Sequence, residues 1–240
     1  SLGPVYNVNK IYLDAYPLVI TPAGERFPNV NAAINKAVAD GSLIINYTGH
    51  GGEDGWSGEK VLTTGDIESW KNADMLPVFI TATCEFSRFD NPARFSAGEM
   101  VIDKAESGAI ALYTTTRQSM ATSNLKLDTS FFRNLIPPEG MPYPTMGDLI
   151  RISKNNNGNN GNIRNFVLLG DPAQAITFPK YHVVATDINH HPAENGPDTA
   201  QGLSLLNVKG QIEDMQGTKL DNFNGTLFTK VFDKPSKIMT

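Results

Sequence analysis

Residues 43–50 read LIINYTGH and residues 76–84 read LPVFITATC, and these two stretches decide the fold. Each is an apolar run without the polar alternation of a sheet that faces water on one side, which is typical of a strand covered on both faces. Residues 109–114 form a third run of the same kind. Helical patterns lie between and after these runs, at residues 30–39, 96–102, 125–135 and 145–154. The alternation predicts an α/β fold with an open, mainly parallel sheet and flanking helices.

The chain is predicted to contain an α/β domain over residues 1–178 and a β-rich segment over residues 179–240. The second part has three β-rich runs separated by Gly, Asn, Asp and Pro, which is typical of antiparallel strands in a sandwich. These runs are residues 181–187, 203–209 and 225–232. Because about 60 residues are few for a complete sandwich, we expect an incomplete, Ig-like β-sandwich segment. In the first part, the Asn-rich residues 154–165 contain a single apolar side chain and are predicted to be a surface loop.

The composition excludes several classes of protein. The 240-residue chain has a mild net charge of -5 and its Lys and Arg are scattered, so it lacks the basic stripe of a nucleic-acid-binding protein. No apolar run approaches the length of a membrane span. Cys84 is the single cysteine, which rules out an internal disulfide and a zinc site built from several thiolates.

The residues that follow the first two strands have the chemistry of a nucleophile and its acid/base partner. His50 follows the first strand and Cys84 the second. Because the carboxyl ends of parallel strands meet at the same edge of a sheet, we expect the imidazole and the thiol to open onto a shared groove. Glycines flank His50 and allow close approach of the backbone to a substrate, and the N–H groups of Gly51 and Cys84 are the expected donors to an oxyanion. The alternative is a plain turn at His50 and a cysteine that fills space at a strand end.

Charged residues near this pair suggest further roles. Glu85 and Asp90 come soon after the candidate nucleophile and are candidates to bind a basic side chain of a substrate. Arg88 and Arg117 are candidates to hold a carboxylate or to pair internally.

No metal site is predicted. His190 and His191 lie in a loop that contains Pro, Asn and Gly, without companion ligands in a recognised spacing. Asp- and Asn-rich loops leave structural calcium open, but no EF-hand pattern is present. The chemistry of a cysteine and a histidine requires no cofactor.

The motifs around the two residues resemble those of a known family. The sequence NYTGHG at residues 46–51 resembles the histidine motif of the gingipain family of cysteine peptidases (family C25, with a caspase-like fold), and the strand that ends at Cys84 resembles its nucleophile segment. Within this family, the finer similarity is to the PorU-type sortases of the type IX secretion system of Bacteroidetes. It is carried by TATCEFSRFD at residues 81–90 and SAGE at residues 96–99. Four further stretches resemble these sortases, at residues 114–117, 168–173, 223–226 and 231–234.

The resemblance implies both an activity and a place of action. His50 is the implied acid/base and Cys84 the implied nucleophile, and a thioester on the cysteine gives hydrolysis with water or transpeptidation with an amine. PorU-type sortases act at the bacterial outer-membrane surface, remove C-terminal sorting domains from secreted cargo, and join the new carboxyl end to anionic lipopolysaccharide. The resemblance therefore implies an extracytoplasmic enzyme with polypeptide substrates and outer-membrane secretion partners.

Two questions stay open at this point. Asp14 and Glu53 are candidates to orient the histidine, although each is also explained as a carboxylate at the surface or in a turn. The alternatives to a sortase are a general secreted endopeptidase of gingipain type and a non-catalytic scaffold that binds secretion partners.

Overall fold

The structure is a computed structural model that describes residues 7–138, 141–176, 178, 180–195, 203–227 and 229. The chain divides after Ile176 into two compact units, which are treated separately. The helices and strands of the first unit are, in chain order, β1 (Val19–Thr21), β2 (Gly24–Arg26), α1 (Pro28–Ala39), β3 (Ile44–Thr48), β4 (Gly51–Gly52), β5 (Gly55–Trp56), β6 (Leu62–Thr63), α2 (Thr64–Ser69), β7 (Val78–Ala82), α3 (Ala97–Asp103), β8 (Ala111–Thr115), α4 (Ala121–Leu135), α5 (Met146–Asn155), α6 (Gly161–Arg164) and β9 (Phe166–Gly170).

The central sheet has four strands in the order β3-β7-β8-β9. The strands β3, β7 and β8 run parallel, and β9 is antiparallel to β8. Every residue of β7 and β8 is buried, as their unbroken apolar sequences require of strands covered on both faces. The prediction of a mainly parallel sheet with flanking helices is confirmed.

Helices cover both faces of this sheet. On one face, α1 buries Val30 and Val38 in a cluster that includes Leu112 of β8. The next residue of β8, Tyr113, packs its ring against Phe131 of α4, with 6.0 Å between the ring centroids. Because successive strand residues point to opposite faces, α1 and α4 lie on opposite sides of the sheet.

Side-chain caps start four of the described helices, of which α3 and α5 are examples. Ser96 and Glu99 form a capping box at the start of α3, in which the Glu99 carboxylate accepts from the Ser96 N–H at 2.9 Å. Thr145 caps α5 by accepting from the Asp148 N–H at 3.2 Å. These bonds satisfy N–H groups that the first turn of a helix leaves unpaired. None of the described helices is long and apolar enough to cross a membrane.

An aromatic stack fixes the hairpin that follows β3. The small antiparallel sheet β4-β5-β6 carries Trp56, which is buried and lies parallel to Tyr47 of β3 with 4.2 Å between the ring centroids. The Trp56 ring also lies 6.0 Å from that of Phe79 and 5.7 Å from that of Phe86. The stack therefore holds the segment between β3 and β5, which contains His50, against the core.

The predicted surface loop at residues 154–165 is partly wrong. The helix α5 continues to Asn155, and α6 occupies the last third of the Asn-rich stretch. The Asn160 side chain caps α6 by accepting from the Ile163 N–H at 3.1 Å, and Ile163 is buried. A side-chain cap and one buried apolar residue give this polar sequence an ordered turn.

The second unit contains a three-stranded antiparallel sheet in the order β11-β10-β12. Its strands are β10 (His182–Ile188), β11 (His191–Pro192) and β12 (Val208–Glu213). The second predicted run is wrong over residues 203–207, because the strand starts only at Val208, opposite Ile188. The run at residues 225–232 lies partly outside the described residues, and those described within it form no strand. The Ig-like sandwich stays a prediction.

Candidate active site

The ends of two neighbouring parallel strands bring His50 and Cys84 to one edge of the sheet. The strands β3 and β7 pair in register up to Thr48 and Ala82. The Gly49 N–H donates to the Ala82 carbonyl at 3.5 Å and extends this pairing by one step. The histidine and the cysteine each follow two residues after the last paired position, so the chain delivers them to matched places at the carboxyl edge.

The backbone of His50 is held by two hydrogen bonds. Its carbonyl accepts from the Tyr47 hydroxyl at 2.7 Å and from the Ser57 N–H at 2.7 Å. Burial, together with the charge of Glu59, raises the pKa of Tyr47, so its hydroxyl stays protonated and remains a donor at neutral pH. The side chain of His50 is exposed, and its backbone is therefore fixed while its imidazole stays accessible.

Gly51 lies against the residue that precedes the cysteine. A Cβ atom added at Gly51 would stand 2.5 Å from Oγ1 of Thr83 and 2.9 Å from the Gly55 carbonyl oxygen. Both distances are far below an ordinary contact, so this position admits only glycine without movement of its neighbours. Gly51 lies opposite Trp56 in the small sheet, and its N–H as an oxyanion donor stays a prediction.

Cys84 is a free thiol in polar surroundings. It is half-buried, and its Sγ accepts from the Ser119 N–H at 3.4 Å. The same sulfur lies 3.6 Å from the Ser119 carbonyl oxygen and 3.9 Å from its hydroxyl. The chain turns sharply after the cysteine, since Glu85 has a φ of 51° and its N–H donates to the Arg117 carbonyl at 3.2 Å.

The two carboxylates proposed for substrate binding both have arginine partners. Glu85 lies 3.3 Å from Nη1 of Arg88. Asp90 accepts from two nitrogens of Arg117, one of them at 2.8 Å, and this guanidinium holds the pKa of the Asp90 carboxyl below its usual range. Of the two roles left open for Arg88 and Arg117, the structure therefore shows internal pairing. Substrate binding by Glu85 and Asp90 stays a prediction.

The carboxylates proposed to orient the histidine lie in different settings. Asp14 is exposed in the short 3-10 turn Leu13–Ala15. Glu53 is largely buried, and it accepts from Asn91 at 2.7 Å and from Arg88 at 3.3 Å. The Glu53 carboxylate is therefore paired with side chains of the loop that follows Cys84.

Sequence reasoning missed Glu59, a carboxylate on which the charge of His50 acts. A hydrogen bond from Ser57 is the largest cause of the lowered pKa of Glu59, and the charge of His50 contributes to it. The Ser57 N–H donates to the His50 carbonyl at 2.7 Å, and this bond brings the segment that contains Glu59 back toward the histidine. No motif in the sequence signals that return.

Comparisons with known proteins bear on this arrangement. Residues 1–177 match the profile of Peptidase family C25. The chain belongs to this family. One similar solved structure is the complex of Porphyromonas gingivalis RgpB pro- and mature domains, at 20% identity and a TM-score of 0.54, over 65% of this chain and 40% of that chain. Another is the Arg-specific cysteine proteinase gingipain R (RgpB), at 19% identity and a TM-score of 0.53, over 65% of this chain and 39% of that chain.

The two gingipain structures are informative about the fold. At such identities the two gingipain structures show the fold of this C25 domain, and the chain spans about 40% of their length. No curated protein matches the sequence. Family membership places residues 1–177 in a family of peptidases.

Potential metal ligands do not cluster among the described residues of this C25 member. No group of three or more His, Cys, Asp and Glu side chains there could hold a metal ion. His190 and His191 lie at the turn between β10 and β11, where both are exposed. The groups at the carboxyl edge of the central sheet are instead a thiol, an imidazole and backbone N–H groups, which suit acyl transfer through a covalent intermediate.

Proposed function

We propose that this domain is the catalytic part of a cysteine peptidase in which Cys84 is the nucleophile and His50 the acid/base. One observation carries the proposal. The strands β3 and β7 are paired in register up to Thr48 and Ala82, and the two candidate residues each follow two positions later in the sequence. The imidazole is exposed and the thiol half-buried, so a polypeptide can reach both. No metal or cofactor is needed for this chemistry.

The reaction follows from these groups. His50 takes the proton of the thiol, and the Cys84 sulfur attacks the carbonyl carbon of the scissile peptide bond. The carbonyl oxygen becomes an oxyanion, which the N–H groups of Gly51 and Cys84 stabilise. His50 then donates its proton to the leaving nitrogen, the C–N bond breaks, and a thioester remains. Water or an amine attacks the thioester, gives its proton to His50, and releases the thiol.

We further propose that the enzyme is a PorU-type sortase at the bacterial cell surface. Its substrates are secreted proteins with C-terminal sorting domains, its partners are outer-membrane components of type IX secretion, and lipopolysaccharide supplies the acceptor amine. Support comes from the resemblance of residues 81–90, the stretch that contains the nucleophile, to these sortases.

The charges beside Cys84 favour a substrate without a basic residue at the cleavage site. One solved relative is described as Arg-specific. In this chain, Asp90 is paired with Arg117, and Glu85 shares Arg88 with Glu53. A carboxylate that is paired with an arginine attracts a substrate cation weakly, so we expect cleavage after uncharged residues.

Cleavage of sorting-domain junction peptides tests the proposal. The full-length protein is incubated with such peptides and an amine acceptor, and the products are identified by mass spectrometry. We expect a cut at one junction position, with hydrolysis and aminolysis products in a ratio that follows the acceptor concentration. Cleavage throughout an unrelated peptide library would instead indicate a general endopeptidase.

Matched variants test the residue roles. Cys84→Ala is expected to abolish cleavage, and His50→Ala to reduce both cleavage and the labelling of Cys84 by a thiol-reactive probe near pH 6. Equal cargo maturation by Cys84→Ala and the unmodified protein would support a non-catalytic scaffold. Equal labelling with and without His50 would argue against an activated pair.

A further inference from the structure

The segment that contacts the candidate nucleophile lies 35 residues further along the chain. Ser119 follows β8 and places its N–H 3.4 Å from the Cys84 sulfur. Its hydroxyl donates to the Thr83 carbonyl at 3.0 Å. Ser119 thus touches both the sulfur and the backbone just before it. It follows β8, which lies on the other side of β7 from β3, the strand that precedes His50.

Buried amides hold Ser119 in this place. Asn124, which is 4% exposed in the first turn of α4, donates to the Ser119 hydroxyl at 2.9 Å. Asn162 of α6 donates to Asn124 at 3.3 Å and accepts from the Met120 N–H at 2.5 Å. The hydroxyl is therefore satisfied on both sides, as acceptor from an amide and as donor to a carbonyl.

The Asn-rich stretch also holds the residues just before Ser119. The Asn165 side chain donates to the Gln118 carbonyl at 2.9 Å, and the Asn165 carbonyl accepts from the Thr116 N–H at 2.8 Å. Residues 116–120, called here the Ser119 segment, are thus bound at three points by Asn162 and Asn165. This gives a structural purpose to a stretch whose composition alone suggests a solvated loop.

We propose that Ser119 is a positioning residue whose N–H holds the Cys84 thiolate, and that Asn124 and Asn162 keep it in place. The inference rests on the proposed function, because it matters only if Cys84 is the nucleophile. A hydrogen bond to an ionised group is stronger than one between neutral groups, so an N–H aimed at the sulfur favours the thiolate over the thiol.

The sign of the effect follows from the two Ser119 groups near the sulfur. The carbonyl oxygen at 3.6 Å can accept from the neutral thiol, whereas the N–H at 3.4 Å donates to the thiolate. A thiol is a weak donor, so the bond that favours the thiol is the weaker of the two. Loosening the Ser119 segment therefore destabilises the thiolate more than the thiol, and the pH needed to ionise Cys84 rises.

The test is the pH profile of alkylation of Cys84 by iodoacetamide, read on the Cys84 peptide by mass spectrometry in the full-length protein. Ser119→Pro removes both the N–H and the hydroxyl and keeps the carbonyl. Ser119→Ala removes the hydroxyl alone, and Asn162→Ala removes a bond to the segment. We expect the midpoint of the profile to rise by about one pH unit in Ser119→Pro, which corresponds to about 1.4 kcal/mol. Ser119→Ala and Asn162→Ala are expected to move it in the same direction, and Ser119→Thr, which keeps the hydroxyl, to restore it.

Two control variants separate positioning from general loosening. Thr122→Ala changes an exposed residue in the first turn of α4, and Asn159→Ala removes an exposed amide whose oxygen accepts from Arg164. Both are expected to leave the midpoint unchanged. Thermal unfolding of every variant shows which ones remain folded. If the proline variant does not fold, the alkylation midpoints of Ser119→Ala and Asn162→Ala test the positioning role.

The outcomes distinguish this inference from the proposed function. An unchanged or lowered midpoint in folded Ser119→Ala and Asn162→Ala would overturn the positioning role, while loss of cleavage in Cys84→Ala would still support the peptidase. Full cleavage by Cys84→Ala would overturn the peptidase itself. A rise in the midpoint with rescue by threonine would support Ser119, because a purely structural role does not move the ionisation of a thiol.

Discussion

Substitution of Gly51 by alanine tests how the histidine strand is held beside the nucleophile. The added Cβ would lie 2.5 Å from Oγ1 of Thr83, whereas ordinary van der Waals contact begins at 3.4 Å. The two groups must therefore separate by about 0.9 Å, and Thr83 is fully buried and has little room to move. The next neighbour, the Gly55 carbonyl at 2.9 Å, blocks movement toward the hairpin. The strain is expected to displace the segment that carries His50.

The expected loss is large in activity and moderate in stability. A misplacement of about 1 Å between catalytic groups costs about 100-fold in rate, so we expect kcat/KM for a sorting-domain junction peptide to fall by about that factor in Gly51→Ala. Overpacking of a close contact costs about 1–3 kcal/mol of unfolding free energy. The measurements are steady-state cleavage and urea unfolding of the same preparations.

Gly52→Ala is the matched control, because a Cβ at Gly52 meets nothing within 4 Å. It is expected to change kcat/KM by about twofold or less, as for a substitution that makes no new contact. Thr83→Ala removes the nearest clashing atom, so the double variant Gly51→Ala with Thr83→Ala is expected to recover part of the lost activity. If Gly51→Ala behaved like Gly52→Ala in both measurements, the close packing of Gly51 on Thr83 would be refuted.

Three further predictions concern burial, charge and capping. Burial raises the pKa of Asp128, and its hydrogen bond from Asn46 only partly offsets this. The folded state therefore binds the carboxyl proton more tightly than the unfolded chain does, and it loses stability as the carboxyl ionises. Asp128→Asn is therefore expected to raise the thermal midpoint at pH 7, with a gain that fades as the pH falls toward the ordinary carboxyl pKa of about 3.9; a lower midpoint at pH 7 would contradict this. Arg117→Gln frees Asp90 and is expected to increase cleavage after Arg and Lys in a peptide library, with little change in thermal midpoint because an exposed ion pair contributes little; an unchanged library profile would show that Asp90 does not face the substrate. Ser96→Ala removes the cap of α3 and is expected to lower the unfolding free energy in urea by about 1–2 kcal/mol, and a loss below the error of that measurement would show that the cap is dispensable.

Local patterns in the sequence were sufficient to predict the frame of the site. Unbroken apolar runs predict strands covered on both faces, and the alternation with helices makes them parallel. From this alone it follows that the residues just past β3 and β7, which include His50 and Cys84, lie at one edge of the sheet. The capping box of Ser96 and Glu99 was equally visible, because its two members are three residues apart.

The contacts that surround the pair could not be predicted in this way. Ser119 lies 35 residues from Cys84, and the two meet only because β8 is the next strand beside β7. The segment with Glu59 returns toward His50 through a hairpin that the stack of Trp56 on Tyr47 holds in place. Such neighbours depend on strand order and on turn geometry, and neither leaves a periodic signal in the sequence.

Thr83 explains why the register of three strands governs this site. It is fully buried directly before the nucleophile, and its side chain limits Gly51 on the histidine side. Its carbonyl accepts from the Thr115 hydroxyl at the end of β8 and from the Ser119 hydroxyl at 3.0 Å. Thr83 thus joins the glycine that follows the imidazole, the strand that carries the thiol and the segment that contacts the sulfur. Because these bonds belong to the backbone and to short side chains, which have few rotamers to lose, they can hold a nucleophile more rigidly than long charged side chains could. On this reasoning, substitutions around Thr83 should change the rate of cleavage and the pH profile of thiol labelling together, whereas substitutions in the arginine pairs should change only the choice of substrate.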